Sequence, residues 1–244
     1  MARRVSREPK KPVLALCCRC PEREAAKTRL SEDVGEIPAR QFYILCLDLL
    51  QKELPLLRGV FDIAVCPSGA ELEGWARDLF PFSDLVVPEV GGGRGERVEA
   101  TWAALRAAGY QKMVLIGSDA PSLPIPYLHV VRRLLYDKDV VLGPAQDGGV
   151  YALGMRVPLG GLRELPWETS DLFSALAEAA GSQGYSVGVA PPWYDVVSYV
   201  DLHRAAEDLQ ISPSLDRRQL GLWLVDEVLT GRSTAVDQAF RNAD

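Results

Sequence analysis

The chain has 244 residues, 48% of them hydrophobic and 25% charged, the balance of an ordinary globular protein, which excludes a disordered or fibrous one. Its 27 basic and 33 acidic side chains leave a formal charge of −6, and no long basic block follows Lys11, so nucleic acid is not expected as a main partner. The N-terminal MARRVSREPKKP precedes an apolar run too short for a signal-peptide core or a membrane span, so a cytoplasmic protein is expected.

In chain order, PVLALCCRCP from Pro12 predicts a first buried strand of about five residues. Cys17, Cys18 and Cys20 at its end, with Cys46 and Cys66, are expected as reduced thiols that pack as small hydrophobes. A loop containing Lys27-Thr28-Arg29-Leu30 follows. Phe42, Leu45, Leu49 and Leu50 have helical spacing between about Ala39 and Leu54, and Pro55 ends that helix. Phe61 to Cys66 reads as a strand, and Leu72, Trp75, Ala76 and Leu79 read as a helix. Leu85 to Val87 is a brief strand. Gly91 to Gly95 opens a helix marked by Val98, Trp102, Leu105 and Ala108 and closed by Gly109.

Met113 to Ile116 is an unbroken apolar run, as expected of a strand buried on both faces of a parallel sheet. It stops at Gly117-Ser118-Asp119, and Pro121 and Pro124 prevent its extension. A helix from about Ile125 to Tyr136 and a strand from Asp139 to Gly143 come next. Beyond Gly148-Gly149 the rhythm loosens: Val150 to Gly154 reads as a strand, Asp171 to Ala180 as a helix and Tyr185 to Val189 as a strand. Asp201 to Leu209 and Arg217 to Leu229 read as closing helices. Alternating strands and helices predict a three-layer α/β/α sandwich around a mostly parallel sheet. The expected division is a frayed terminus over 1–11, a single domain over 12–232 and a tail over 233–244.

Polar clusters fall at the predicted strand ends, where open α/β sheets bind ligands. Lys27 and Arg29 are two apart, so on an extended loop both heads point to one side and bind phosphate, unless they are a solvated surface pair. Arg94 and Arg97 flank a helix N-terminus, which favours anions. Asp119 delivers a carboxylate beyond the Met113 strand, either for a divalent metal or as the cap of the next helix. Asp147-Gly148-Gly149 suits a backbone bent closely around a ligand, or a hairpin turn. Trp167, Trp193 and Tyr194 offer faces for a sugar or pack in the core, and Glu168 is a candidate general base.

KTRL in the first loop, GGGRGERV before a helix, IGSDAPSLP, LGPAQDGGVYALG, LPWETS and PPWYDV occur in that order. As an ordered set they resemble a family of bacterial candidate glycosyltransferases of the nucleotide-diphospho-sugar transferase superfamily, which has the GT-A fold. A more distant similarity is to guanylyltransferases that activate 2-phospholactate or the molybdenum cofactor. The resemblance spans roughly residues 12 to 210. It implies a nucleotide or nucleotide-sugar donor bound over the first half of the sheet, with Mg²⁺ or Mn²⁺ held by Asp119 with Asp147 or Asp195. It also implies phosphate contacts from Lys27, Arg29, Arg94, Arg97, Ser118, Gly148 and Gly149. A small-molecule or glycan acceptor would lie near Trp167, Glu168, Ser170, Trp193 and Tyr194. Two departures stand out. Pro21 to Ala26 lacks the family's glycine before Lys27, and Val197 replaces a second late carboxylate beside Asp195. The leading expectation is glycosyl transfer to an unidentified acceptor. The alternatives are nucleotidyl transfer from an NTP to a phosphorylated small molecule, and an idle nucleotide-binding protein.

Overall fold

A computed structural model describes residues 10–24 and 28–230. Its centre is a seven-stranded sheet of β1 (Val13–Cys18), β2 (Asp62–Pro67), β3 (Leu85–Val86), β4 (Met113–Ile116), β5 (Val140–Pro144), β6 (Val150–Met155) and β7 (Val187–Val189). The spatial order is β3-β2-β1-β4-β6-β5-β7. β1 pairs in parallel with both β2 and β4, Leu14 lying opposite Ile63 on one side and Val114 on the other. Only β6 runs against its neighbours, wedged between β4 and β5 by the hairpin that follows β5. The mostly parallel α/β reading of the sequence is the observed architecture.

Among the described residues, eight α-helices surround the sheet: α1 (Thr28–Val34), α2 (Glu36–Glu53), α3 (Glu73–Leu79), α4 (Arg94–Ala107), α5 (Ile125–Asp137), α6 (Leu172–Ser182), α7 (Tyr199–Gln210) and α8 (Leu215–Trp223). All six β1 residues are buried, because alternate side chains feed two different cores. Leu14, Leu16 and Cys18 pack with Tyr43 and Leu47 of α2 and with Leu128 and Val131 of α5. Val13, Ala15 and Cys17 pack with Val98 and Trp102 of α4 and Leu176 of α6. A third cluster lies behind α2, where Phe42, Cys46 and Leu49 meet Leu202 and Leu209 of α7 and Leu220 of α8. Helix α2 is therefore apolar on two sides, and the C-terminal helices cover the side that the sheet leaves open.

The elements differ from the sequence reading mainly where tertiary contacts decide. The expected loop around Thr28-Arg29-Leu30 is helix α1, so the argument from an extended loop fails; Lys27 lies outside the described residues. Seven residues are too few to show a helical repeat, and α1 is held instead by buried Leu30 and by Asp33, which accepts the Tyr199 backbone N–H at 2.8 Å. Helix α2 starts at Glu36, before Ala39, because Gly35 at φ 90° separates it from α1. The final helix divides, α8 passing into a π-helical turn at Leu224–Leu229.

Asp139 fastens the far side of the sheet. It accepts from the Ser186 backbone N–H (2.9 Å) and hydroxyl (2.7 Å) and from Arg156 Nε (3.0 Å). These hydrogen bonds, those of Ser186 first, pull its pKa from 3.8 to about 2. A carboxylate depressed by folding stabilises above its unfolded pKa and loses that contribution as pH falls through the folded value. Asp139→Asn should therefore flatten the fall in melting temperature between about pH 4 and pH 2. A thermal-denaturation series across that range checks it.

Candidate active site

The carboxyl ends of β1, β2 and β4 open into a cleft of about 680 Å³. After β1 the chain departs toward β2 and β3, and β4 returns on the opposite side of β1, so the connections diverge above this pair. Gly117, Ser118 and Asp119, directly beyond β4, line the cleft. Asp119 does not cap the following helix, which begins at Ile125 with Pro124 in the cap position.

Neighbouring elements fix the Asp119 segment. Buried Ser118 shares a 2.8 Å hydrogen bond with the Tyr43 hydroxyl, which also accepts the Arg19 backbone N–H at 2.9 Å. Burial first, and then the charge of Asp119, push the Tyr43 phenol far above its ordinary pKa, so it orients and does not act as a base. Past β7, the strand that ends at Val189, the chain follows the end of β5 through Trp193 N–H to Pro144 C=O (3.0 Å). It then reaches the Asp119 segment through Val196 N–H to Asp119 C=O (2.9 Å). That crossing brings the backbone of Asp195 beside Asp119, and both residues line the cleft.

Among the described residues the lining carries four arginines, Arg19, Arg29, Arg94 and Arg97, against six carboxylates. Carboxylates thus outnumber arginines in the lining, and the excess negative charge favours a cation. Arg94 is central. Burial works against its charge, but the fields of Cys17, Glu89, Asp119 and Glu168 outweigh it and push its pKa up. The Cys17 thiol is itself driven well up by its hydrogen bond with Cys66 and by burial, so it stays neutral and the carboxylates carry that field. Arg97 is partly committed, lying 3.4 Å from Glu89 and donating to the Gly92 carbonyl at 3.1 Å. Arg29 is exposed at the rim.

The opposite wall is the segment between Leu165 and Asp171. Trp167 lines the cleft while its indole N–H is spent on the Leu162 carbonyl at 2.6 Å, so only its ring is available. Glu168, also at the cleft, has φ 70°, the only positive value among described non-glycine residues. Such strain costs about 1–3 kcal/mol and tends to persist where a side chain must be aimed. Gly148 shows why the wall holds its shape. At φ 87°, its position would drive an added Cβ to 2.0 Å from the Ser170 carbonyl oxygen.

Of the residues expected to act, the cleft gathers Arg29, Arg94, Arg97, Ser118, Asp119, Asp147, Gly149, Trp167, Glu168, Ser170 and Asp195. Gly148 is instead a packing residue of the β5–β6 hairpin, and Asp147 accepts the Gly149 N–H at 3.0 Å, as a turn residue does. Trp193 and Tyr194 lie outside the cleft. Tyr194 is buried, with its hydroxyl on Asp208 (2.6 Å) and Ser122 (3.0 Å), and Trp193 stacks on it at 5.2 Å. Their aromatic surface completes the core against α7. Sequence reasoning missed Tyr43 and Glu89. Glu89 follows a strand end and was open to the same argument as Asp119, whereas Tyr43 is indistinguishable from a core position on α2.

Residues 56–169 match the family described as "Uncharacterized protein conserved in bacteria (DUF2064)". The match is confined to that stretch, which is less than half of the chain. The DUF2064 segment carries Glu89, Arg94, Arg97, Asp119, Asp147 and Glu168, while Arg29 and Asp195 come from outside it. By sequence, the chain matches no protein of curated function. Among solved structures it is similar to a candidate nucleotide-diphospho-sugar transferase from Desulfovibrio desulfuricans G20, at 25% identity and TM-score 0.76, over 86% of this chain and 94% of that one. A nucleotidyl transferase from Methanothermobacter shares the fold at 16% identity and TM-score 0.55, over 83% and 99% of the two chains. A cytidylyltransferase from Leptospira borgpetersenii shares it at 12% identity and TM-score 0.54, over 92% and 96%. The fold around the DUF2064 segment is thus that of nucleotide-diphospho-sugar transferases. No helix among the described residues is long and apolar enough to cross a membrane.

Two substitutions at the cleft wall should have opposite effects on stability. Gly148→Ala meets both the positive φ and the Ser170 carbonyl, and should cost about 2 kcal/mol or more. Glu168→Gly relieves strain that exceeds glycine's cost of about 0.5–1 kcal/mol, so stability should hold or rise. Urea denaturation of each variant checks the pair.

Proposed function

We propose that this protein is a metal-dependent transferase that moves a glycosyl group from a nucleotide diphospho-sugar to an acceptor hydroxyl. The observation that carries this reading is the convergence of Asp119, Asp195 and Arg94 on one cleft at the point where the sheet's connections diverge. The structural relatives bearing transferase and nucleotidyltransferase names support the transferase class.

A Mg²⁺ or Mn²⁺ ion held by Asp119 and Asp195 would neutralise the diphosphate as it leaves. Two carboxylates fit this role, because Mg²⁺ commonly takes one or two protein carboxylates and completes its shell with water and phosphate oxygens. Arg94, whose charge the surrounding carboxylates reinforce, binds the remaining phosphate charge with its planar fork. Tyr43 and Ser118 keep the Asp119 segment in position. The nucleoside half of the donor extends toward Ser68 and Glu89, at the ends of β2 and β3. On the other wall, the Trp167 ring packs against the sugar or acceptor. Glu168 accepts the proton as the acceptor oxygen bonds to the sugar and the diphosphate departs with the bonding electrons.

One observation favours a second reading, nucleotidyl transfer. Arg19 and Arg29 are exposed at the mouth and line the cleft, which supplies charge for a third phosphate.

Asp119→Asn and Arg94→Ala should each leave the fold intact and weaken Mn²⁺-dependent binding of UDP or GDP about 10- to 100-fold, the effect of losing one charge-assisted contact. Titration calorimetry reads this, and unchanged affinity in folded Asp119→Asn would remove it from the metal site. A thermal-shift panel of UDP, GDP, dTDP and their sugars against the four NTPs, with Mn²⁺, separates the two readings. Diphosphates should give the larger shifts, roughly 5–10 °C at saturation. An NTP turned over with release of pyrophosphate would replace glycosyl transfer by nucleotidyl transfer.

A further inference from the structure

The segment after β4 is anchored by a group far along the chain that the proposed chemistry does not use. Arg217, on α8, is buried and makes a two-pronged ion pair with buried Glu53 at the end of α2, Nε to Oε1 at 2.6 Å and Nη2 to Oε2 at 2.7 Å. The same guanidinium donates to the carbonyls of Ser122 (3.2 Å) and Leu123 (2.8 Å). These carbonyls lie three and four residues after Asp119. Helix α2 thus reaches the segment twice, through Tyr43 to Ser118 and through Glu53 and Arg217 to Ser122 and Leu123.

Beneath the segment is a small cavity of about 30 Å³, lined among others by Ala120, Leu123, Asp195, Glu53 and Arg217. It is large enough for one water molecule, and it leaves the Asp119 segment without a fully packed floor. The pair also makes little sense as a source of stability. A buried ion pair can be replaced by apolar side chains of similar volume with little loss, because desolvation of both charges offsets their attraction. What apolar side chains cannot supply is donors for two carbonyl oxygens that fix the height of the segment over the void.

We propose that Glu53 and Arg217 are positioning residues for the metal site, holding the Asp119 segment at the height at which Asp119 and Asp195 share one cation. This rests on the metal-dependent reading given above. Arg217 lies beyond the DUF2064 segment, so α8 supplies part of the site's geometry from the C-terminal side.

The test is the double variant Glu53→Met with Arg217→Met, compared with the parent by titration of UDP and of GDP, each with Mn²⁺ and with EDTA. The melting temperature should fall by several degrees, because the Ser122 and Leu123 carbonyls lose their donors, while the variant stays folded. Mn²⁺-dependent affinity should fall about 10-fold or more, the usual effect of losing support behind a metal ligand, while metal-free affinity stays unchanged. A purely structural pair would leave the Mn²⁺-dependent affinity at the parent's value, and that result overturns the proposal. Glu53→Gln, which preserves shape and one acceptor oxygen, guards against loss of folding in the double variant. It should show a smaller fall confined to the Mn²⁺ arm, and equal affinity in both arms to the parent would again overturn the proposal. A parent that binds neither diphosphate with Mn²⁺ would contradict the proposed function itself, along with this inference.

Discussion

The parallel pairing of β1 with β4 is the constraint on which the rest depends. Val13 to Leu16 lie opposite Met113 to Ile116, yet the chain reaches β4 only after building β2 and β3 on the other side. The connections beyond β1 and β4 must therefore part, and a cleft opens where no crossover can fill it. Asp119, Asp195, Arg94 and Glu168 lie around that opening. The antiparallel β6 extends the consequence, because its hairpin brings Asp147 and Gly149 to the same end of the sheet as Asp119.

Helix α2 serves as the common support. One side packs on the sheet and another under α7 and α8, so it is sterically fixed before any polar contact is made. Its polar side chains at Tyr43 and Glu53 can then act as fixed points. The charges in the cleft are arranged on this frame with little freedom: Glu89 is buried beside Arg97, and Arg94 is drawn in among carboxylates. Half-buried Arg94 keeps its charge because the carboxylates around it offset its partial desolvation.

Much of the fold was legible in the sequence because a strand buried on both faces has an unmistakable pattern. Val13 to Cys18 and Met113 to Ile116 are unbroken apolar runs, and glycine and proline mark their ends. Asp119 was legible for the same reason, as the first charge beyond such a run. Helix α1 was hidden because seven residues show no repeat and its stability comes from contacts with α2 and α7. Trp193 and Tyr194 were misleading, since an aromatic pair has the same sequence appearance whether it lines a cleft or closes a core. The insertion of β6 between β4 and β5, and the bond from Arg217 to carbonyls about ninety positions earlier, are matters of long-range pairing that no local pattern records. The ordered motif set, by contrast, pointed to the nucleotide-diphospho-sugar transferase fold, which the structural comparison bears out.

The most direct test of the central claim is a crystal structure with Mn²⁺ and a nucleoside diphosphate, with data collected at the manganese absorption edge. The account predicts one anomalous peak within coordination distance of carboxylate oxygens of both Asp119 and Asp195, with the diphosphate between that ion and Arg94. Manganese bound elsewhere, or a diphosphate bound without touching that ion, would contradict it.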